Sequence, residues 1–137
     1  MSSFLTALPH QIPFRAISGA RIIDDATIEG VVLCSEADAL RGARRELMLV
    51  EAMAQAAGML AFGDSPTPGM LVRVDELRCS SPPRTGDRVD VRVEMEASFG
   101  GIFRFHGSGR IGGQEIATAR FHLASGPETS SDPTLDA

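Results

Sequence analysis

Polar and apolar positions follow two rhythms along this chain. From Arg88 to Ala97 they alternate, with Val89, Val91, Val93 and Met95 on one side and Arg88, Asp90, Arg92, Glu94 and Glu96 on the other. That period of two marks a strand with one dry face and one wet face. From Glu46 to Phe62, ELMLVEAMAQAAGMLAF, the apolar residues instead lie all round a helical cylinder. A surface helix shows a single apolar stripe, so this one is expected to be enclosed on nearly every side. Ala, Leu and Met are also strong helix formers. Only Glu51 and Gln55 interrupt the run after its first residue, and, four apart, they share one face. An ionised carboxylate is costly to bury without a partner, and burial raises its pKa. Glu51 is therefore the position that needs a chemical reason.

The remaining elements fall around that helix. Arg15–Ile23 and Thr27–Cys34 read as strands joined by a turn at Asp24-Asp25. Ser35–Arg45 reads as a short polar helix or loop with Ser35 and Asp38 in capping positions. Gly63–Gly69, GDSPTPG, ends the long helix, as Gly and Pro do. Met70–Cys79 is a strand, Ser80–Gly86 a loop, and Arg88–Ala97 the alternating strand. Gly100-Gly101 and Gly112-Gly113 turn the chain into Ile102–Ile111 and Gln114–Ala124. This order predicts an α+β domain with the helix laid on one face of an antiparallel sheet. One helix cannot cover so long a sheet, so a second copy is expected to complete the structure, most simply as a homodimer. Ser125–Ala137, polar with two prolines, is expected to be a disordered tail.

Composition narrows the class. At 137 residues the chain is one domain with room for a core. Its net charge of −5 argues against nonspecific nucleic-acid binding, which needs a basic surface. Glu51 and Gln55 interrupt the apolar helix in its middle, which argues against membrane insertion. The N-terminus lacks the basic start and long apolar stretch of a secretory signal, so cytoplasmic residence is expected. Cys34 and Cys79 form no metal-ligand spacing and are read as reduced thiols; a Cys34 nucleophile would lack a His near it in sequence. Every basic residue is Arg and none is Lys. Guanidinium forks hold phosphate or carboxylate with two bonds, which admits a phosphorylated carrier, although a coding bias explains the usage more simply.

Five pieces together carry a family resemblance: Leu8-Pro9-His10 with Pro13-Phe14, VEAMAQAAGML in the helix, VDELR at Val74–Arg78, the proline loop closing on Gly86-Asp87, and the final hairpin. In this order, from about Leu8 to Ala124, they resemble the bacterial 3-hydroxyacyl-acyl-carrier-protein dehydratases. The resemblance implies a hotdog fold over residues 1–124, a long helix wrapped by an antiparallel sheet and paired into a double-hotdog dimer. It also implies a 3-hydroxyacyl thioester, carried on phosphopantetheine of acyl carrier protein or CoA, entering a tunnel at the dimer interface, with no cofactor of the protein's own. In the family a His removes the proton beside the thioester, and the helix carboxylate, matching Glu51, protonates or orients the departing hydroxyl. Gln55, one turn on, joins Glu51 as a catalytic candidate. Met48, Ala52, Met59, Met70 and Leu71 are the expected tunnel lining, Met being suited to a flexible acyl tail.

The sequence departs from the family at one place. The family's His lies in a His-Phe-Pro-Gly-type loop before the helix, and a Pro-Gly pair opens the helix to polarise the carbonyl. Here Arg45-Glu46 occupy the Pro-Gly positions, and Val31–Arg45 contains no His. His106 shares strand parity with Arg104 and Arg110, and His122 with Thr118 and Arg120, so both are expected to face water. His10 matches a lead-in His that is not the family's base and is expected to bond a turn. Glu36, Asp38 and Arg44 stand in the rewritten loop, read first as a solvated capping segment. Glu51 itself is open to a second reading, a structural carboxylate bonded to backbone or to Gln55. Three functions follow. The first is a dehydratase-like protein of fatty acid or polyketide metabolism with ordinary dehydration impaired, or an acyl thioesterase using Glu51. The second is a non-catalytic partner subunit, paired with a His-bearing paralogue, and the third an acyl-binding protein.

Overall fold

The structure, a computed structural model, describes residues 17–34, 45–63 and 69–125. Two strands, β1 (Gly19–Asp24) and β2 (Thr27–Leu33), precede the helix α1 (Arg45–Phe62), and four strands follow it: β3 (Gly69–Cys79), β4 (Arg88–Phe99), β5 (Ile102–Ile111) and β6 (Gln114–Ser125). All pairings are antiparallel, and the sheet order is β1-β2-β4-β5-β6-β3. Each element follows its expected position. The first strand is described from Gly19; its expected start at Arg15, all of the expected capping segment Ser35–Arg45 but Arg45, which opens the helix, and the expected tail beyond Ser125 lie outside the described residues.

Register decides which residues meet the helix. Ile28, Gly30 and Val32 of β2 pair with Val93, Val91 and Val89 of β4, and all six are buried. The β5 residues opposite, Gly107 and Gly109, pair with Ala119 and Ala117. They are glycines because the helix passes closest there: a Cβ on Gly107 would stand 2.6 Å from the Met53 sulfur. Phe105 and Phe121 stack at 5.5 Å on the same inner face, both fully buried. Leu49, Met53, Ala56 and Ala57 complete the core from α1. At the helix C-terminus Phe62 lies edge-on to Phe103 at 5.2 Å and occupies the space a side chain on Gly69 would need.

The outer face of the sheet carries the strands' ion pairs. Glu96 is an extra residue between the pairs Met95↔Phe105 and Ala97↔Arg104, and this bulge reverses the strand's parity. Phe99, paired with Ile102, consequently ends on the wet face, 88% exposed. Glu96 itself accepts hydrogen bonds from Arg104 at 3.2 Å and from Arg120 at 2.8 and 3.1 Å. The Arg120 guanidinium holds the Glu96 carboxyl below the usual glutamate range, against the opposing effect of partial burial.

The expectation of a helix enclosed on nearly every side is corrected for a single chain. Met48–Val50, Ala52, Met53 and Gln55–Ala57 are buried, but Leu47 is 53% exposed and Glu51, Ala54, Gly58 and Ala61 are only half-buried. Their spacing of three and four makes them one stripe along the side the sheet leaves open.

Candidate active site

The helix starts where the sequence is unlike the family, and Arg45 gives that start a new anchor. Its guanidinium donates to the Pro83 carbonyl at 3.1 Å and to Thr85 Oγ1 at 2.9 Å, tying the first helical residue to the loop between β3 and β4. The same loop is tied to the end of β2: Gly86 N–H donates to the Cys34 carbonyl at 2.8 Å, and Cys34 N–H to the Asp87 carbonyl at 3.0 Å. Glu46 lies in the first turn, where the helix macrodipole favours an acid. This clamp is not among the expected site residues. An Arg directly before an apolar helix, with a Pro-Pro-Arg-Thr-Gly loop downstream, was the available signal.

Glu51 stands on the open stripe, half-buried, and no hydrogen bond or ion pair is made to it among the described residues. The reading of a structural carboxylate bonded to backbone or to Gln55 finds no such bond among the described residues. Gln55 is turned the other way. Its Oε1 accepts the Ile17 N–H at 3.0 Å, while its buried Nε2 has no partner among the described residues. An amide fixed at its oxygen has its orientation settled, so a free donor is left one turn from the acid.

The other expected site residues are scattered in a single chain. Met48 and Ala52 are buried, and Met59 packs half-buried against the core. Leu71 is 39% exposed and Met70 49% exposed on the edge strand β3, and Met70 pairs with Ala124 on the face away from the helix. His106 and His122 share the outer face with Arg120 and Arg104, as parity predicts. They are half-buried there rather than fully in water, and His122 Nδ1 lies 3.7 Å from an Asp75 oxygen. The sheet therefore separates both from Glu51; His10 lies outside the described residues. Cys34 is buried and Cys79 half-buried, neither in a disulfide among the described residues, and burial pushes the Cys79 thiol up. Among the described residues no helix is long and apolar enough to cross a membrane.

A single helix in the grip of one antiparallel sheet, with its acid on the uncovered side, defines a hotdog protein. No family model matches the sequence. The chain is 32% identical over 123 residues to the 3-hydroxyacyl-[acyl-carrier-protein] dehydratase FabZ of Acidovorax sp. (strain JS42), a match covering 79% of this chain and 84% of that one. It is 31% identical over 84 residues to the FabZ of Dechloromonas aromatica (strain RCB), and there spans 58% of the relative's length. In three dimensions it matches a chain of the dehydratase heterocomplex ApeI:P from Xenorhabdus doucetiae with a TM-score of 0.77, covering 98% of this chain and 97% of that one at 21% identity. A hypothetical thioesterase from Streptococcus pneumoniae TIGR4, solved with coenzyme A, matches with a TM-score of 0.66 at 11% identity, covering 93% and 98%. The chain belongs to the FabZ-like 3-hydroxyacyl-[acyl-carrier-protein] dehydratase family.

Proposed function

We propose that this chain is the carboxylate-bearing half of a dehydratase-type dimer acting on carrier- or CoA-linked acyl thioesters. The observation that carries the reading is Glu51, half-buried on the open stripe of α1 and unbonded among the described residues, with both described histidines on the opposite side of the sheet. An acid in that position protonates a departing 3-hydroxyl. The reaction removes a proton beside the thioester and releases water, leaving a double bond between the second and third carbons. The base for that proton is supplied by an imidazole of a partner subunit; a chain working alone dehydrates poorly.

The edge strand β3 is where the second subunit joins. It exposes Met70, Leu71, Val72 and Val74 to between 39% and 49% along an eleven-residue edge. Long apolar edges pair with other strands unless something covers them. A His-bearing paralogue seated on that edge makes a heterodimer; the Xenorhabdus neighbour is itself named a dehydratase heterocomplex.

The test is turnover of a 3-hydroxyacyl thioester by the chain alone and after co-expression with a His-bearing dehydratase protomer from the same cell. Slow turnover alone, a large gain in the pair, and loss of that gain with Glu51→Gln are expected. A pair indifferent to Glu51→Gln overturns the proposal. Release of free thiol by the chain alone, abolished by the same substitution, replaces it with a thioesterase in which Glu51 activates water.

A further inference from the structure

The outer face of the sheet carries a depression of about 450 Å³ over β1, β2, β4 and β5, on the side away from α1. Side-chain size makes it. Gly19, Val31 and Ser108 supply a short-sided floor, and the long side chains of Arg21, Arg88, Arg92 and Arg110 stand round it. Register holds them together: Arg21 pairs with Glu29, Glu29 with Arg92 and Arg92 with Ser108, while Val31 pairs with Asp90 and Asp90 with Arg110. Adjacent strands lie about 4.8 Å apart, so the four guanidiniums bracket a space the width of a few strands.

The carboxylates present orient these cations and leave donors over. Glu29 holds Arg92 at 2.8 Å and Arg21 at 3.6 Å, and Asp90 holds Arg88 at 3.1 Å. From outside the lining, Glu94 takes Arg92 at 3.3 Å and Glu115 lies 3.8 Å from Arg110. A guanidinium has five N–H donors in a fixed fork and no acceptor, so each keeps several unused. Within the lining, four guanidiniums face two carboxylates, in a chain whose net charge is −5. The side chains of Arg21, Arg88 and Arg110 are 50% to 78% exposed and Arg92 47%, so their forks are open to a ligand.

We infer that this groove binds a compact polyanion of the diphosphate type, free or as the diphosphate arm of a nucleotide. Planar forks hold two phosphate oxygens each, and a diphosphate brings enough oxygens to engage guanidiniums on both sides of the floor. The groove is a second site, separated from Glu51 by the sheet, and its fate is independent of the proposed chemistry.

Calorimetric titration of the full chain with inorganic pyrophosphate, ADP and adenosine, at one fixed ionic strength, tests it. Pyrophosphate and ADP bind saturably and adenosine does not; ADP binding more tightly identifies the nucleotide source, and equal affinities the free anion. The pair Arg21→Ala and Arg110→Ala weakens binding by about tenfold or more, the loss expected when charge-assisted bonds go. The pair Arg73→Ala and Arg84→Ala, the same charge change outside the groove, weakens it by less than about twofold. Amide shifts at Val31 and Ser108 on titrating the wild type report the place without any variant. No binding, equal weakening by both pairs, or shifts elsewhere overturns the inference, while activity toward acyl thioesters stays unchanged in the Arg21/Arg110 variant.

Discussion

Gln55 accepts the backbone N–H of Ile17 at 3.0 Å across 38 residues of sequence, and the bond is buried. One side chain thus fastens the strand entry to the middle of α1, a turn beyond the candidate acid. Gln55→Leu leaves the Ile17 N–H without a partner and is expected to destabilise the fold by about 1–3 kcal/mol. Urea unfolding reads this as a lower midpoint at unchanged slope. Gln55→Glu keeps an acceptor for Ile17 while changing the free donor. It is expected to keep the tie to Ile17 but to lower the midpoint at neutral pH, where a buried carboxylate is costly.

Glu51 presents the converse case. Nothing among the described residues is bonded to it, so Glu51→Gln is expected to alter stability by less than about 1 kcal/mol. Its loss should show in turnover by the paired protein, as a fall in kcat rather than a rise in KM, because the acid acts on the leaving group and not on the carrier arm. Stopped assays on a 3-hydroxyacyl thioester, run beside unfolding curves, check both halves.

The dimer edge is testable without any substrate. Val72 lies in a break of the β3–β6 register, between Leu71↔Leu123 and Arg73↔His122, and is 49% exposed. Val72→Lys places a charge on the edge without disturbing the chain's own core, the device natural edge strands use to stay unpaired. Sedimentation is expected to show the wild type as a dimer and the variant as a monomer with a nearly unchanged thermal midpoint.

How much of this was legible beforehand depends on the kind of signal. The alternation over Arg88–Met95 and the all-round apolarity of α1 report burial directly, and the inner residues Val89, Val91 and Val93 and the helix core are where those patterns put them. The inner face of β5 was not legible in the same way, because Gly107 and Gly109 carry no apolar signal; they are inside because Met53 and Val89 need their space. The parity reversal at Glu96 was equally silent, since a bulge is made by pairing between strands and not by either strand alone. For the site, the motif singled out Glu51 and Gln55 but could not say that Gln55 faces Ile17, a contact across 38 residues. The Arg45 clamp depends on a loop that the sequence places 38 and 40 residues away.

Glu96 supplies a pH prediction. Its carboxyl is held below the usual value of 4.5, first by the hydrogen bond from Arg120 and then by the charges of Arg120 and Arg104. A depressed folded-state pKa means the unfolded chain binds the proton more readily, so the contribution to stability is fully present above pH 4.5 and is lost as pH falls through the lower folded value. The unfolding midpoint of the wild type should therefore drop on acidification below pH 4.5. Glu96→Gln starts less stable at neutral pH, and its acid limb is expected to be shallower; identical limbs would show that the Arg104–Glu96–Arg120 cluster contributes nothing to folding.

Two glycines with opposite surroundings give a matched test of where the fold has room. A Cβ on Gly30 would stand 2.8 Å from the Gly19 carbonyl oxygen and 2.6 Å from Ile17 Cδ1, so backbone of β1 and the residue fastened by Gln55 would both have to move. Gly30→Ala is expected to destabilise by about 1–3 kcal/mol, the range for overpacking a core. Gly58 is inside α1, where glycine is less favourable than alanine by about 1 kcal/mol, and a Cβ there meets nothing within 4 Å. Gly58→Ala should raise the unfolding midpoint of the isolated chain. Gly58 lies two turns from Glu51 on the open stripe, and a larger residue is a different matter. Gly58→Leu keeps the isolated chain folded but fills space on the open stripe two turns beyond the acid, and it is expected to slow turnover of long acyl thioesters more than short ones. Equal slowing of both would place the acyl chain off this side of the helix.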